Sequence, residues 1–129
     1  ITLIEIGLEQ LRLEGLIASM VVRFGQNMQP FAGALRIEQR QTIQLHSIFD
    51  KYGASEVKVP STGFAPLLAT TTRAACVQAL DQVRHFQERL FNERNAFASR
   101  PDIRRFMQES AQVSRDSLLP AFERCAKAE

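Results

Sequence analysis

Two carboxylates fall at positions where helical spacing predicts apolar side chains. Glu14 lies on the predicted face of Leu11 and Ile17, and Glu38 lies on the predicted face of Leu35. Burying a carboxylate is costly unless it is paired, protonated or bound to a metal ion. Two buried carboxylates close together also repel, which raises the pKa of one of them. The two residues therefore indicate either a metal centre or a buried hydrogen-bonded network.

Further polar residues share the predicted inner faces near the middle of the helices. They comprise Gln41, Gln87, Glu88, Ser110, Ser114 and Ser117. One interpretation is a di-iron or di-manganese site with Glu14, Glu38 and Glu88 as ligands and with water or His85 completing it, because such metals accept oxygen and nitrogen ligands. The alternative, which we favour, is a metal-free network, since the sequence has no Glu-x-x-His spacing. We therefore expect no cofactor.

The two histidines do not complete a metal site. His46 follows Glu38 by more than two helical turns, and His85 shares a predicted polar face with Asp81 and Asn92. We predict surface positions for both. The sequence also has no Gly-x-Ser-x-Gly elbow and no phosphate-binding glycine loop, so nucleophilic catalysis has no support and a non-catalytic role is favoured.

Four helices must position these residues. Hydrophobic periodicity, capping residues and breaks at proline and glycine predict helices at about 2–26, 30–52, 72–97 and 101–127. Short connections make the first two and the last two helices antiparallel hairpins, and about 18 residues between the hairpins can cross the bundle. We predict an all-α, ferritin-like four-helix bundle in which 1–129 is one domain.

Two details of these helices follow from residue types. The predicted inward stripe of the first helix comprises Leu8, Leu11, Ile17, Met20, Val21 and Phe24. Pro120 lies inside the fourth helix, where it lacks an N–H group and clashes with the preceding turn, so it predicts a kink there.

Composition limits the classes of partner. Sixteen basic and 14 acidic residues give a net charge of +2, which is too balanced to indicate nucleic-acid binding. No apolar run approaches the roughly 18–20 residues that span a bilayer. The apolar residues Phe64, Leu67 and Leu68 lie in the crossover. They predict either a contact patch for a homodimer or protein partner, or a cap on the end of the bundle, and we favour the cap.

The cysteines leave two alternatives open. At about 1.5 Å per helical residue, Cys76 and Cys125 fall at nearly the same height on neighbouring helices. A disulfide is therefore geometrically allowed in an oxidising compartment, while two separate thiols are the favoured alternative. The sequence starts without an initiator Met, so we expect a processed or truncated chain or part of a longer one. A secreted or periplasmic location would agree with that and with a Cys76–Cys125 disulfide.

Short motifs along most of the chain are similar to those of one family. They are Glu14-Gly-Leu-Ile, Phe31, Ile37-Glu38-Gln-Arg-Gln41, Tyr52-Gly53, Ala79-Leu80, Phe86-Gln87-Glu88, Pro101-Asp102-Ile103, Ser114-Arg-Asp-Ser117-Leu118 and Ala121-Phe122. On these residues the chain resembles the uncharacterised ferritin-like family DUF2202. The resemblance implies a ferritin-like bundle with a carboxylate di-metal site.

The departures from that family fall on its metal ligands. Gln41 and Ser117 stand where the family has histidines, and Gln87 stands at the first glutamate of its helix 3 pair. Glu14, Glu38 and Glu88 remain. The resemblance therefore implies a degraded metal site in a structural or interaction module. The alternative is an iron or manganese protein with oxidase, peroxide-handling or metal-storage activity.

Overall fold

The computed structural model describes residues 2–53 and 67–128, and this part of the chain is all-α. Its elements are α1 (Leu3–Phe24), α2 (Phe31–Lys51), α3 (Thr72–Asn92), α4 (Pro101–Val113), a π-helical turn (Ser114–Leu118) and α5 (Leu119–Lys127). The last three elements follow one another directly and together form the predicted fourth helix. The described part of the chain thus contains the four helical segments that the sequence predicts, the fourth of them interrupted.

Local residue chemistry sets the ends of the helices. The Thr2 hydroxyl accepts a hydrogen bond from the Glu5 backbone N–H at 3.1 Å and caps the start of α1. Gly25 ends α1 with a φ of 101°, a conformation that glycine adopts without a steric penalty. The third helix is shorter than predicted and ends at Asn92, after which residues 93–99 form successive turns. Asparagine favours such turns over a helix interior.

The first helix runs antiparallel to α2 and to α3. Near the α1–α2 connection, the rings of Phe24 and Phe31 stack with their centroids 5.5 Å apart. At the opposite end of α1, the Glu5 carboxylate pairs with Arg89 near the end of α3, at 2.7 Å. The start of α1 therefore lies beside the end of α3, while its end lies beside the start of α2.

The last helix also runs antiparallel to α2 and α3. Tyr52, directly after α2, donates a 2.6 Å hydrogen bond to Asp102 at the start of α4. The disulfide from Cys76 near the start of α3 joins Cys125 in α5. Consequently α2 and α3 point in one direction, and α1 and the α4–α5 helix point in the other.

Large apolar side chains from all four helical segments fill the core. Phe31, Phe106 and Phe122 are completely buried, as are Ile6 and Ile17. Burying side chains of this size stabilises a fold by roughly 1.5–3 kcal/mol each. None of the described helices combines the length and the apolar character needed to cross a membrane.

A π-helical turn precedes Pro120 and changes which residues face the core. The proline ring clashes with the carbonyl four residues earlier, at Asp116, and a widened turn relieves that crowding. The helix is interrupted just before Pro120 by a π-helical turn over Ser114–Leu118, whereas the predicted kink stays a prediction. The buried positions after Ser110 recur every four residues, at Ser114, Leu118 and Phe122.

The two cysteines form a disulfide that links α3 to α5, with 5.8 Å between their Cα atoms. The favoured expectation of two separate thiols is wrong, because the two positions lie at the same height on adjacent helices. Within the crossover, Phe64 lies outside the described residues. Leu67 is partly buried against the core, in agreement with the cap, whereas Leu68 is exposed.

Candidate functional site

The site with the most unusual chemistry is a buried polar cluster between α1 and α2. Gln10 lies on the buried stripe of α1, one turn after Ile6 and one turn before Leu13. Glu38 lies on the buried stripe of α2, one turn after Ala34. Because the two helices are antiparallel and both positions face the shared core, the two polar side chains meet there.

Hydrogen bonds connect this cluster, which we call the α1–α2 network: Gln10, Glu14, Glu38 and Thr42. The Gln10 Nε2 donates to Glu38 Oε2 at 2.8 Å and to the Glu38 backbone carbonyl at 3.1 Å. It also lies 3.3 Å from the Thr42 hydroxyl. That hydroxyl is in turn 2.9 Å from Glu14 Oε2, to which it donates. One amide and one hydroxyl thus join the two carboxylates.

Burial controls the protonation of Glu38, which is only 3% exposed. Loss of water around the carboxylate, which is the largest cause, and the nearby charge of Glu14 together raise its pKa from 4.5 to about 7. The Gln10 hydrogen bond opposes this shift because it stabilises the charged form. Glu38 therefore changes its charge near neutral pH, far from the range of an ordinary carboxylate.

Two buried acceptor atoms have no hydrogen-bond donor within the described part of the chain. They are the side-chain carbonyl oxygens Oε1 of Gln10 and of Gln41. Buried polar atoms are paired in most folded proteins, and each unpaired one costs roughly 1–3 kcal/mol. A protonated Glu38 would bring one hydroxyl donor close to the Gln10 amide.

The structure brings together only part of the predicted metal-ligand set. Glu14, which is partly buried, is linked to the buried Glu38 carboxylate through Thr42 and Gln10. The third predicted ligand, Glu88, is exposed, so its assignment to the core is wrong. The neighbours Phe86 and Leu90 face inward, and a residue midway between them on a helix faces the opposite way.

The residues that replace the family's metal ligands do not all face the core. Gln41 is buried as predicted, but Gln87 is only partly buried and Ser117 is exposed. Because of the π-helical turn, Leu118 rather than Ser117 faces the core. Ser110 and Ser114 are buried, and both histidines, His46 and His85, are exposed as predicted.

These residues do not fit a carboxylate di-metal centre. Such a site takes a glutamate from each of two helices and a Glu-x-x-His pair from each of the others. Here the Glu38 carboxylate faces the Gln10 amide nitrogen, a hydrogen-bond donor that cannot bind a cation. Among the described residues, no group of three or more histidines, cysteines, aspartates or glutamates could hold a metal ion.

Sequence reasoning missed two buried polar residues of α1, namely Gln10 and Glu9. Glu9 is 5% exposed and pairs with Arg89 of α3 at 2.9 Å. Arg89 also binds Glu5, so one guanidinium fixes α1 against α3 through two carboxylates. The burial of Gln10 could have been predicted from its spacing. It lies four residues after Ile6 and three before Leu13, which places it on the same helical stripe.

Comparison of the chain with protein-family models, with curated proteins and with solved structures gives no match. The interpretation of the site therefore depends on its own geometry.

Proposed function

We propose that this chain is a ferritin-like helical bundle in which a hydrogen-bonded network occupies the place of a di-metal site, and that it acts as a non-catalytic structural or interaction module. The observation that carries the proposal is the 2.8 Å contact between Gln10 Nε2 and Glu38 Oε2. An amide donor directed at the one fully buried predicted ligand stabilises a carboxylate without a cation.

The directions of the helices support the ferritin-like part of the proposal. The second and third helices are parallel, and the first and fourth run opposite to them. Parallel successive helices in a bundle need a connection that spans its length, and one such crossover is the feature of ferritin-like bundles. The resemblance to DUF2202 points to the same fold, with ligand positions replaced by Gln41, Gln87 and Ser117.

The alternative is a di-iron or di-manganese protein with oxidase, peroxide-handling or storage activity. One observation favours it, since the unpaired carbonyl oxygens of Gln10 and Gln41 are atoms that a hard cation accepts as ligands. Against it stand the exposed positions of Glu88 and Ser117, which leave two carboxylates for two metals. The chain's own residues therefore support the network better.

A thermal-shift experiment with added metal tests the proposal. A metal that binds only the folded chain raises its stability in proportion to the logarithm of its concentration. We expect no change in Tm when manganese(II) or anaerobic iron(II) is added to chelator-treated protein. A rise in Tm that disappears in Glu38→Gln but persists in the surface variant Glu88→Gln would contradict the proposal.

A further inference from the structure

A groove of about 220 Å³ runs between α3 and α4 on the side of the turns that join them. Leu90 and Met107, both buried in the core, contribute apolar atoms to it. Phe91 also lines the groove and is 60% exposed. The groove therefore offers an apolar surface that solvent can reach.

Three arginines, Arg94, Arg104 and Arg115, line the same groove, and its lining contains no aspartate or glutamate. We call it the arginine groove. Arg94 is held in position, because its guanidinium carbon lies 4.2 Å from the centroid of the Phe91 ring and its Nη1 donates to the Phe91 carbonyl at 2.8 Å. All three arginines are exposed. A concave, mainly apolar surface whose charged lining residues are all arginines is complementary to an apolar side chain flanked by acidic ones.

We propose that the arginine groove binds an acidic, amphipathic helical segment of another protein. The inference rests on the proposed interaction role and names the class of partner. Arginine, methionine and aromatic residues are enriched in protein–protein interfaces, whereas lysine, aspartate and glutamate are depleted, as they are in this lining. Helices that dock into such grooves insert apolar residues spaced by one helical turn.

The length of the groove sets the length of the partner segment. Arg104 and Arg115 are 11 residues apart along the fourth helix, which corresponds to about 16 Å at 1.5 Å per residue. Arg94 lies in the turns just after α3, near the Arg104 end of the groove, because α3 and α4 are antiparallel. A helix of about three turns with carboxylates towards both ends and an apolar anchor between them matches this arrangement.

A protein segment fits the groove better than a nucleic acid does. Phosphate backbones are bound by dispersed basic residues and need no apolar surface. Here Leu90, Phe91 and Met107 lie among the arginines, and the whole chain has a net charge of only +2. A phosphate backbone would leave these apolar atoms exposed to water, whereas the apolar face of an amphipathic helix would bury them.

The test uses two labelled synthetic peptides of about 14 residues with the same leucine and phenylalanine face, one with glutamate and the other with lysine at the flanking positions. Binding to the full chain is measured by fluorescence anisotropy at about 50 mM and about 300 mM salt. We expect the glutamate peptide to bind at least about tenfold more tightly than the lysine peptide, with weaker binding at high salt.

Variants then locate the binding surface. Arg94→Glu combined with Arg104→Glu should weaken binding of the glutamate peptide at least about tenfold, and Phe91→Ala should weaken it as well. Arg12→Glu is the matched control, because it reverses an exposed arginine of α1 outside the groove and should leave binding unchanged. Thermal melts of each variant confirm that it folds.

Three results would overturn the inference: equal binding of both peptides, binding insensitive to the groove variants, or tighter binding of a single-stranded RNA oligomer at the same site. If one of these results is obtained and the chain carries no metal, the arginine groove is not the binding site for such a segment, but the proposed function still stands. Conversely, a metal-dependent rise in Tm that requires Glu38 would remove the proposed function whatever the peptides do.

Discussion

The side-chain amide of Gln10 donates to a carboxylate oxygen of Glu38 across the α1–α2 interface, with 2.8 Å between Nε2 and Oε2. Both side chains are buried. Leaving one member of such a pair without its partner costs roughly 1–3 kcal/mol. The contact therefore links the stability of the α1–α2 hairpin to the protonation state of a single carboxyl group.

The free energy of unfolding should fall as the pH rises from about 4.5 to about 7. Glu38 has a higher pKa in the folded chain than in the unfolded one, so its protonated form favours folding. That contribution is fully present below pH 4.5 and is lost as the pH rises through about 7. At 1.36 kcal/mol per pKa unit the loss is roughly 3 kcal/mol. Denaturant unfolding at a series of pH values measures it.

Glu38→Gln is the control for this pH dependence, because glutamine does not titrate. The decline between pH 4.5 and 7 should disappear in this variant. Asp102 does not interfere, since hydrogen bonds from Lys51 and Tyr52 lower its pKa from 3.8 to about 2. Its contribution is present above pH 3.8 and is lost only as the pH falls towards 2. An unchanged decline in Glu38→Gln would show that another group is responsible.

Gln10→Met removes the amide donor while it keeps a side chain of similar size. We expect a loss of roughly 1–3 kcal/mol at pH 8, where Glu38 is charged, and a smaller loss at pH 4.5. The apparent pKa of Glu38 should rise, because the hydrogen bond from Gln10 lowers it in the native chain. Equal losses at the two pH values would mean that Gln10 acts through packing alone.

Glu14→Gln should move the apparent pKa of Glu38 in the opposite direction. The charge of Glu14 raises that pKa, and a neutral amide removes the repulsion. Glutamine still offers an oxygen to the Thr42 hydroxyl, so the free energy of unfolding at neutral pH should change by less than about 1 kcal/mol. A large destabilisation would indicate that the Glu14 carboxylate has a role outside this network.

Removal of the disulfide should cost about 2–4 kcal/mol. Cys76 and Cys125 are separated by 49 residues, and a closed loop of this size restricts the unfolded chain strongly. The Cys76→Ala, Cys125→Ala double variant and the reduced native chain should unfold at the same denaturant concentration, below that of the oxidised chain. Alkylation of unreduced protein should label neither thiol, and labelling of both would contradict the disulfide.

Helical spacing was enough to find the α2 half of the network and insufficient for the α1 half. In α2 the apolar stripe is narrow, so Glu38 and Gln41 were correctly predicted to be buried. Apolar residues surround α1 on several sides, and the predicted stripe through Leu8 and Leu11 was rotated from the observed one. The buried face contains Ile6, Gln10, Leu13, Leu16, Ile17 and Met20.

The errors in the second half of the chain have local causes. Glu88 was assigned to the core because it lies beside Gln87, which was placed on the inner stripe with Leu90. Leu90 is buried as predicted, but Phe86 takes the inner position expected of Gln87. Ser117 would share a face with Ser110 in a regular helix, but the π-helical turn rotates it into solvent. A single proline gives no indication of where the widened turn begins, so spacing could not predict this change.

The most direct test of the central claim is elemental analysis of the chain, purified without chelators or a metal-binding tag from cells grown with added iron and manganese. The Gln10–Glu38 contact predicts less than stoichiometric metal, and the same result in Glu38→Gln. A carboxylate di-metal site holds two metal ions. The account would be contradicted if the chain contained about two iron or manganese ions, and if these were lost in Glu38→Gln but retained in Glu88→Gln.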